Sequence, residues 1–308
     1  MMLRLLGVSF AALVLSAGAA TFQEDLPRVR EIAVWLKPKA AAPGALPSDR
    51  TAWAKIAALP ETPRILASAS AEALKPIPEL TEELYREHSK TGVHRPFDTL
   101  YFLRIHRLSL FTLAEALEYK GRFLPDIRRY LEAIVGERTW TLPAHDPHFM
   151  TFDKGKPWVK LFTTQRALVT AYAITWFGDR LPGELVAATR KMCRTRVIDP
   201  YLAICQDEKR AGEFGCEWFR LGGNWNAVCH AGCVMATLLL ADDPRERGEA
   251  VRLLGRRTAK GDSGYPSPLD LKVAAADRAV RQQHPAILKS HGSRPLSHSY
   301  RRQSIGFS

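Results

Sequence analysis

A chain of 308 residues, 46% hydrophobic and 25% charged, can bury a large core and has the composition of an ordinary folded soluble protein. Its net charge of +12 is uneven: six Lys or Arg and no acid follow Asp277, so half of the excess sits in the last 31 residues. The remaining +6 favours a polyanionic partner without specifying which one.

The N-terminus reads MMLRLLGVSFAALVLSAGAATFQ. A positive start at Arg4, an apolar run from Leu5 to Ala20 and the small residues Ala17-Gly18-Ala19-Ala20 have the layout of a secretory signal peptide over residues 1–20. About 16 apolar residues are few for a bilayer span, so cleavage near Ala19 or Ala20 and export to the periplasm or outside the cell are expected. No later stretch is long and apolar enough to span a membrane.

Residues 21–79 are rich in Pro and Ala and read as an irregular lead-in with short helices around 28–36 and 50–58. From 80 to 263 the pattern is helical. Leu100, Leu103, Leu110, Leu113 and Leu117 mark one face of a long helix, with Asp98 as its expected cap and Gly121 as its stop. A second helix starts at LPDI with Pro125 in its first turn, where the missing N–H costs nothing. A third runs through VKLFTTQRALVTAYAITWF to Gly178. A fourth covers LPGELVAATRKMCRTRVI and continues briefly after Asp199-Pro200. A helix over about 225–241 is apolar nearly all round and should be buried, and Asp243-Pro244 opens the next. Alternating strand pattern is scarce, so the fold class is all-α, with helices joined by short turns as antiparallel pairs.

Five cysteines fall within residues 193–233. No paired C-x-x-C supports zinc, and buried thiols between packed helices are expected, with one disulfide through Cys205 or Cys216 as the alternative. From Gly264 to Ser308 the helical rhythm lapses into a His-, Ser-, Arg- and Pro-rich stretch. It reads as a basic disordered tail or as residues out of frame.

The densest chemistry lies at NWNAVCHAGCVMATLLLADD, residues 224–243, where two amides, an indole and an imidazole crowd the mouth of an apolar helix. Asn226 and His230 are four apart and share a face. Asn224 or Asn226 alternatively caps the helix, Trp225 is alternatively core, and His230 a satisfied interior histidine.

These residues carry a resemblance. LAEALEYKGRFLPDI (113–127), ERTWTLPAHD (137–146), VKLFTTQRALVTAYA (159–173), RVIDPYLA (196–203) and the Asn-Trp-Asn-x-x-Cys element at 224–229, in that order, are similar to heparinase II/III-like proteins. These are polysaccharide lyases with an incomplete α/α toroid followed by β-sandwich domains. The resemblance implies β-elimination at a uronic acid, with the sugar carboxylate neutralised, the C5 proton removed and the leaving oxygen protonated. It implies Asn226 and His230 as catalytic residues. Asn224, Trp225, His145, Trp140 and Arg107 would bind substrate, with Arg104 one turn from Arg107; the alternatives are a loop merely fixed by Pro143 and Asp146 for His145, and a solvated helix face for the two arginines. An acidic, uronate-containing polysaccharide is the implied partner, with no cofactor and no metal ligands named, metal dependence being open; the export signal and the lack of a recognition motif disfavour nucleic acid.

The sequence departs from the family at KGDSGYPSPLDLKV (260–273), where the later Glu-Gly and Tyr-Trp are absent and Tyr265 does not take the catalytic role. The β-sandwich portion has no counterpart either. A truncated or frameshifted lyase with impaired catalysis is therefore expected. The alternatives are a non-catalytic glycan-binding domain and an α/α-toroid glycoside hydrolase, which would need a carboxylate pair that the sequence does not offer.

Overall fold

A computed structural model of the chain describes residues 29–34, 36, 40, 44–220 and 224–259. The expected signal peptide and the basic tail lie outside the described residues. Within them the protein is helical and contains no strand. A short helical stretch at 29–34 is followed by the α-helices α1 (Arg50–Ala57), α2 (Thr62–Ala73), α3 (Glu82–Thr91), α4 (Arg95–Glu118), α5 (Leu124–Val135), α6 (Leu161–Phe177), α7 (Gly183–Cys193), α8 (Asp199–Gln206), α9 (Asn224–Leu240) and α10 (Pro244–Ala259).

Local chemistry sets several of these boundaries. The Thr81 hydroxyl caps α3 by accepting from Leu84 N, and the helix stops at Gly92, whose φ of 78° a glycine adopts without strain. Asp243 caps α10 by accepting from Arg245 N at 2.8 Å, as expected from the sequence. The lead-in is more ordered than its composition suggests: α2 starts with Pro63 in its first turn, so the proline opens a helix instead of breaking one.

Helix α4 begins earlier than expected. Pro96 lies in its first turn, Asp98 is already inside the helix, and the chain leaves at left-handed Tyr119 (φ 55°), two residues before Gly121. The expected fourth helix is divided. A π-turn over Arg194–Ile198 separates α7 from α8 and lets Pro200 enter as an early residue of a new helix.

Helix α4 packs against α2, α5 and α6, while α6 also meets α7 and α9, and α9 meets α10. The α6–α9 contact is close. A Cβ placed on Gly232 would meet Thr164 Cβ at 2.6 Å and its backbone carbon at 3.1 Å, so only glycine fits there. Helix α9 buries Cys229, His230, Cys233, Val234, Ala236, Leu239 and Leu240, as its all-round apolar pattern predicts.

All five cysteines are buried and none is in a disulfide. Burial pushes the Cys193 and Cys229 thiols up to about 12 and raises the other three as well. They are packing residues, as the first of the two sequence readings had it.

A candidate glycan-binding groove

The segment after α5 is fixed from below before it presents anything to solvent. Glu137, on the buried side, accepts from Arg104 at 2.9 Å and from Arg166 at 2.8 Å. Arg166 also lies over the Tyr101 ring, 3.6 Å from its centroid. Trp140 is 1% exposed and donates from Nε1 to the Ile134 carbonyl. Its placement as a substrate-facing residue is therefore corrected: it is core, and its neighbours are Tyr101 and Arg196.

Arg107 is corrected in the same way. It is 5% exposed and spends its donors on Glu72, the Pro76 carbonyl and the Tyr130 hydroxyl. Arg104 is likewise buried on Glu137. Neither arginine faces a ligand.

Above this base, Asp146 pins the turn that carries His145. Its carboxylate accepts from Thr151 N (2.8 Å), Thr151 Oγ1 (2.7 Å), Phe152 N (3.0 Å) and the Tyr85 hydroxyl of α3 (2.8 Å). Burial and this carboxylate hold the Tyr85 phenol well above its ordinary value, so it stays a neutral donor. The chain then passes through His148 and Phe149 with φ of 52° and 51°. Two consecutive non-glycine residues in the left-handed region store strain, and strain of this kind clusters at ligand sites.

The result is a groove of about 490 Å³ bounded by α3 (Tyr85, His88), the turn at Pro143–Phe149, Lys160 and Trp225. That size suits a small ligand or one to two sugar rings. Two residues chosen from the sequence meet here: the His145 and Trp225 rings make an edge-to-face contact with centroids 4.9 Å apart. Behind His145 lies Phe162, parallel to it at 6.1 Å. Lys160 enters from the segment leading into α6. That segment is fixed by the Val159 N–H on the Phe214 carbonyl (2.8 Å) and by Trp218 Nε1 on the Val159 carbonyl (2.7 Å).

His145 is held below its ordinary value, first by burial and then by the Lys160 cation. It is therefore neutral at neutral pH. Its Nδ1 is shielded from solvent and meets no hydrogen-bond partner.

The other expected site residues sit behind the groove. Asn226 and His230 do share a face of α9, as their spacing predicts, but protein fills the space before them. Asn226 Nδ2 donates to the carbonyls of Trp218 (3.2 Å) and Phe219 (3.0 Å), so its amide protons hold the turn at Glu217–Arg220. His230 is 1% exposed. Its Nδ1 is 2.8 Å from the Tyr201 hydroxyl, and its ring packs on Trp218 and Phe219. Asn224 is exposed at the first position of α9.

Sequence reasoning missed Lys160, His88 and His148. His88 and His148 fall in no motif, Lys160 lies in the VKLFTTQRALVTAYA stretch without having been singled out, and only the fold brings the three to one groove. Among the described residues, no three His, Cys, Asp or Glu side chains are grouped as metal ligands, and no helix is long and apolar enough to cross a membrane. No family model matches the chain, and comparison with curated proteins finds no match.

Proposed function

We propose that this chain binds an acidic, uronate-containing glycan in the groove between α3, the Pro143–Phe149 turn and the start of α9. It would do so as an exported relative of the heparinase II/III-like lyases, with its helices arranged as part of an α/α toroid. One observation carries the reading: the His145–Trp225 ring pair shares a groove with the Lys160 cation. An aromatic wall offers the apolar face of a sugar a flat surface, and a lysine offers its carboxylate a charge.

Binding without efficient elimination is favoured over full lyase activity by a specific feature. The amide expected to neutralise the sugar carboxylate, Asn226, already donates to two backbone carbonyls, and His230 is sealed in the core. Elimination needs the enolate charge met as it forms, and groups engaged elsewhere do not meet it.

The test is to titrate the chain with oligogalacturonate, oligoalginate and heparin fragments while following tryptophan fluorescence and ultraviolet absorbance. Binding with no growth of conjugated product supports the reading. Steady growth of an absorbing double bond would restore the lyase. New reducing ends without that absorbance would point to hydrolysis. No binding to any of the three would end the glycan assignment.

A further inference from the structure

The glycan reading leaves one feature of the groove unexplained. His145 is a half-buried imidazole with no carboxylate of its own, although three acids lie near it. Asp98 directs Oδ2 to His94 Nδ1 at 2.5 Å. Asp146 is saturated by four donors from Thr151, Phe152 and Tyr85. Glu217 lies 2.5 Å from Lys160 Nζ.

The other groups around the ring are cationic or neutral. His88 comes from α3, His94 from the start of α4, His148 from the same turn, and Lys160 from the far wall. His88 and His94 themselves stack edge to face at 5.6 Å. Of these neighbours only Asp98 favours a proton on His145, and burial and the Lys160 cation outweigh it in the free groove.

We propose that the groove is a proton-linked anion site, in which a carboxylate of the ligand seats between Lys160 and His145 and one proton is taken from the buffer onto the His145 imidazole. The inference rests on the glycan-binding reading and deepens it, because it names the recognised group and makes its capture dependent on pH. The charge balance is simple. A carboxylate enters, neutral imidazole becomes imidazolium, and no covalent bond changes. The carboxylate supplies the missing partner, and the resulting imidazolium donates a charge-assisted hydrogen bond to it.

The sign follows from linkage. A group that is protonated more readily in the complex than in the free protein makes binding tighten as pH falls. The tightening runs through the interval between the complexed and free values of His145 and levels off below the free value. Above that interval only Lys160 attracts the anion, which then competes with Glu217 for it.

The test uses the full chain and a short oligogalacturonate in calorimetry, in two buffers of different ionisation enthalpy. The expected result is net proton uptake on binding, with affinity rising roughly three- to tenfold per pH unit somewhere between about pH 8 and pH 6. His145→Gln should abolish the uptake and flatten the profile. Lys160→Gln should weaken binding at every pH and leave the uptake in place. Should His145→Gln fail to fold, the ring proton shifts of His145 in the unaltered chain give the same answer, since its titration must move to higher pH when the ligand is added.

Binding with no proton uptake and a flat profile would overturn this inference and leave the glycan groove standing. Uptake that survives in folded His145→Gln would overturn the assignment to His145. Absence of any binding would overturn both readings.

Discussion

Asp146→Ala is the substitution that best separates the groove from the core beneath it. The Asp146 carboxylate accepts four hydrogen bonds in a buried setting. Two of its donors have a second acceptor nearby: the Tyr85 hydroxyl has the Thr141 carbonyl at 3.1 Å, and Thr151 Oγ1 has Thr139 Oγ1 at 2.6 Å. The backbone N–H groups of Thr151 and Phe152 would lose their acceptor. Each buried orphan costs about 1–3 kcal/mol.

Against this, the turn holds His148 and Phe149 in left-handed conformations that cost about 1–3 kcal/mol each. Part of that strain is released once the staple is gone, so the turn should relax and carry His145 away from Trp225. A net loss of about 2–4 kcal/mol is expected, which for a chain of this size lowers the melting temperature by roughly 3–8 °C. Thermal and urea unfolding followed by circular dichroism measure it. Tyr85→Phe removes a single bond and should cost only about 1 kcal/mol. An Asp146→Ala protein that melts with the unaltered chain and still binds oligogalacturonate would refute the claim that this carboxylate shapes the groove.

Other expectations concern the scaffold. Gly232→Ala should cost about 1–3 kcal/mol or more, because Thr164 stands within 2.6 Å of the added methyl and part of the obstruction is backbone; urea unfolding reads the loss. Glu137→Gln should cost about 3–5 kcal/mol, since Arg104 and Arg166 are left as buried cations without a carboxylate; a melting temperature unchanged from the parent would contradict that. In a thiol-reagent assay at neutral pH the native chain should react slowly at all five cysteines and the denatured chain at all five quickly, because burial raises every thiol. In the absence of ligand, His145 binds its proton less readily folded than unfolded. Stability should therefore fall as pH drops through the unfolded histidine value near ~6.5, then level off below the folded value. His145→Gln should remove that component from a series of denaturation midpoints.

The long helices were legible from their apolar spacing. Helix α9 is the clearest case, along with the Asp243 cap and the Gly178 stop. The face of α4 was not legible: it buries Phe97, Tyr101, Leu108 and Phe111, and of Leu100, Leu103, Leu110, Leu113 and Leu117 only Leu117 is buried. Helix α2 was not legible, because Pro63 has the same letter whether it opens a helix or ends one. The start of α4 was misplaced for the same reason at Pro96.

At the site, His145 and Trp225 were picked out separately and the fold brings them into contact. The shared face of Asn226 and His230 was also readable from their spacing. What occupies that face was not, because the turn of Trp218 and Phe219 reaches it through a bend that no periodicity reports. Arg104 and Arg107 looked like a surface pair because one turn of helix separates them. Their carboxylates, Glu137 and Glu72, are 33 and 35 residues away, and only tertiary structure reveals such partners. Lys160 is placed in the groove by its neighbour Val159, whose N–H donates to the Phe214 carbonyl and whose carbonyl accepts from the Trp218 indole, which again no local pattern encodes.

The central claim is that an acidic glycan occupies the groove beside His145, Trp225 and Lys160. The most direct measurement is a calorimetric titration of oligogalacturonate into the full chain and into Trp225→Ala/Lys160→Gln, with folding of both checked by circular dichroism. Saturable binding by the parent and a loss of at least tenfold in the double variant is the predicted result. Equal affinity in the two proteins, or no binding by the parent to this ligand or to oligoalginate or heparin fragments, would contradict the account.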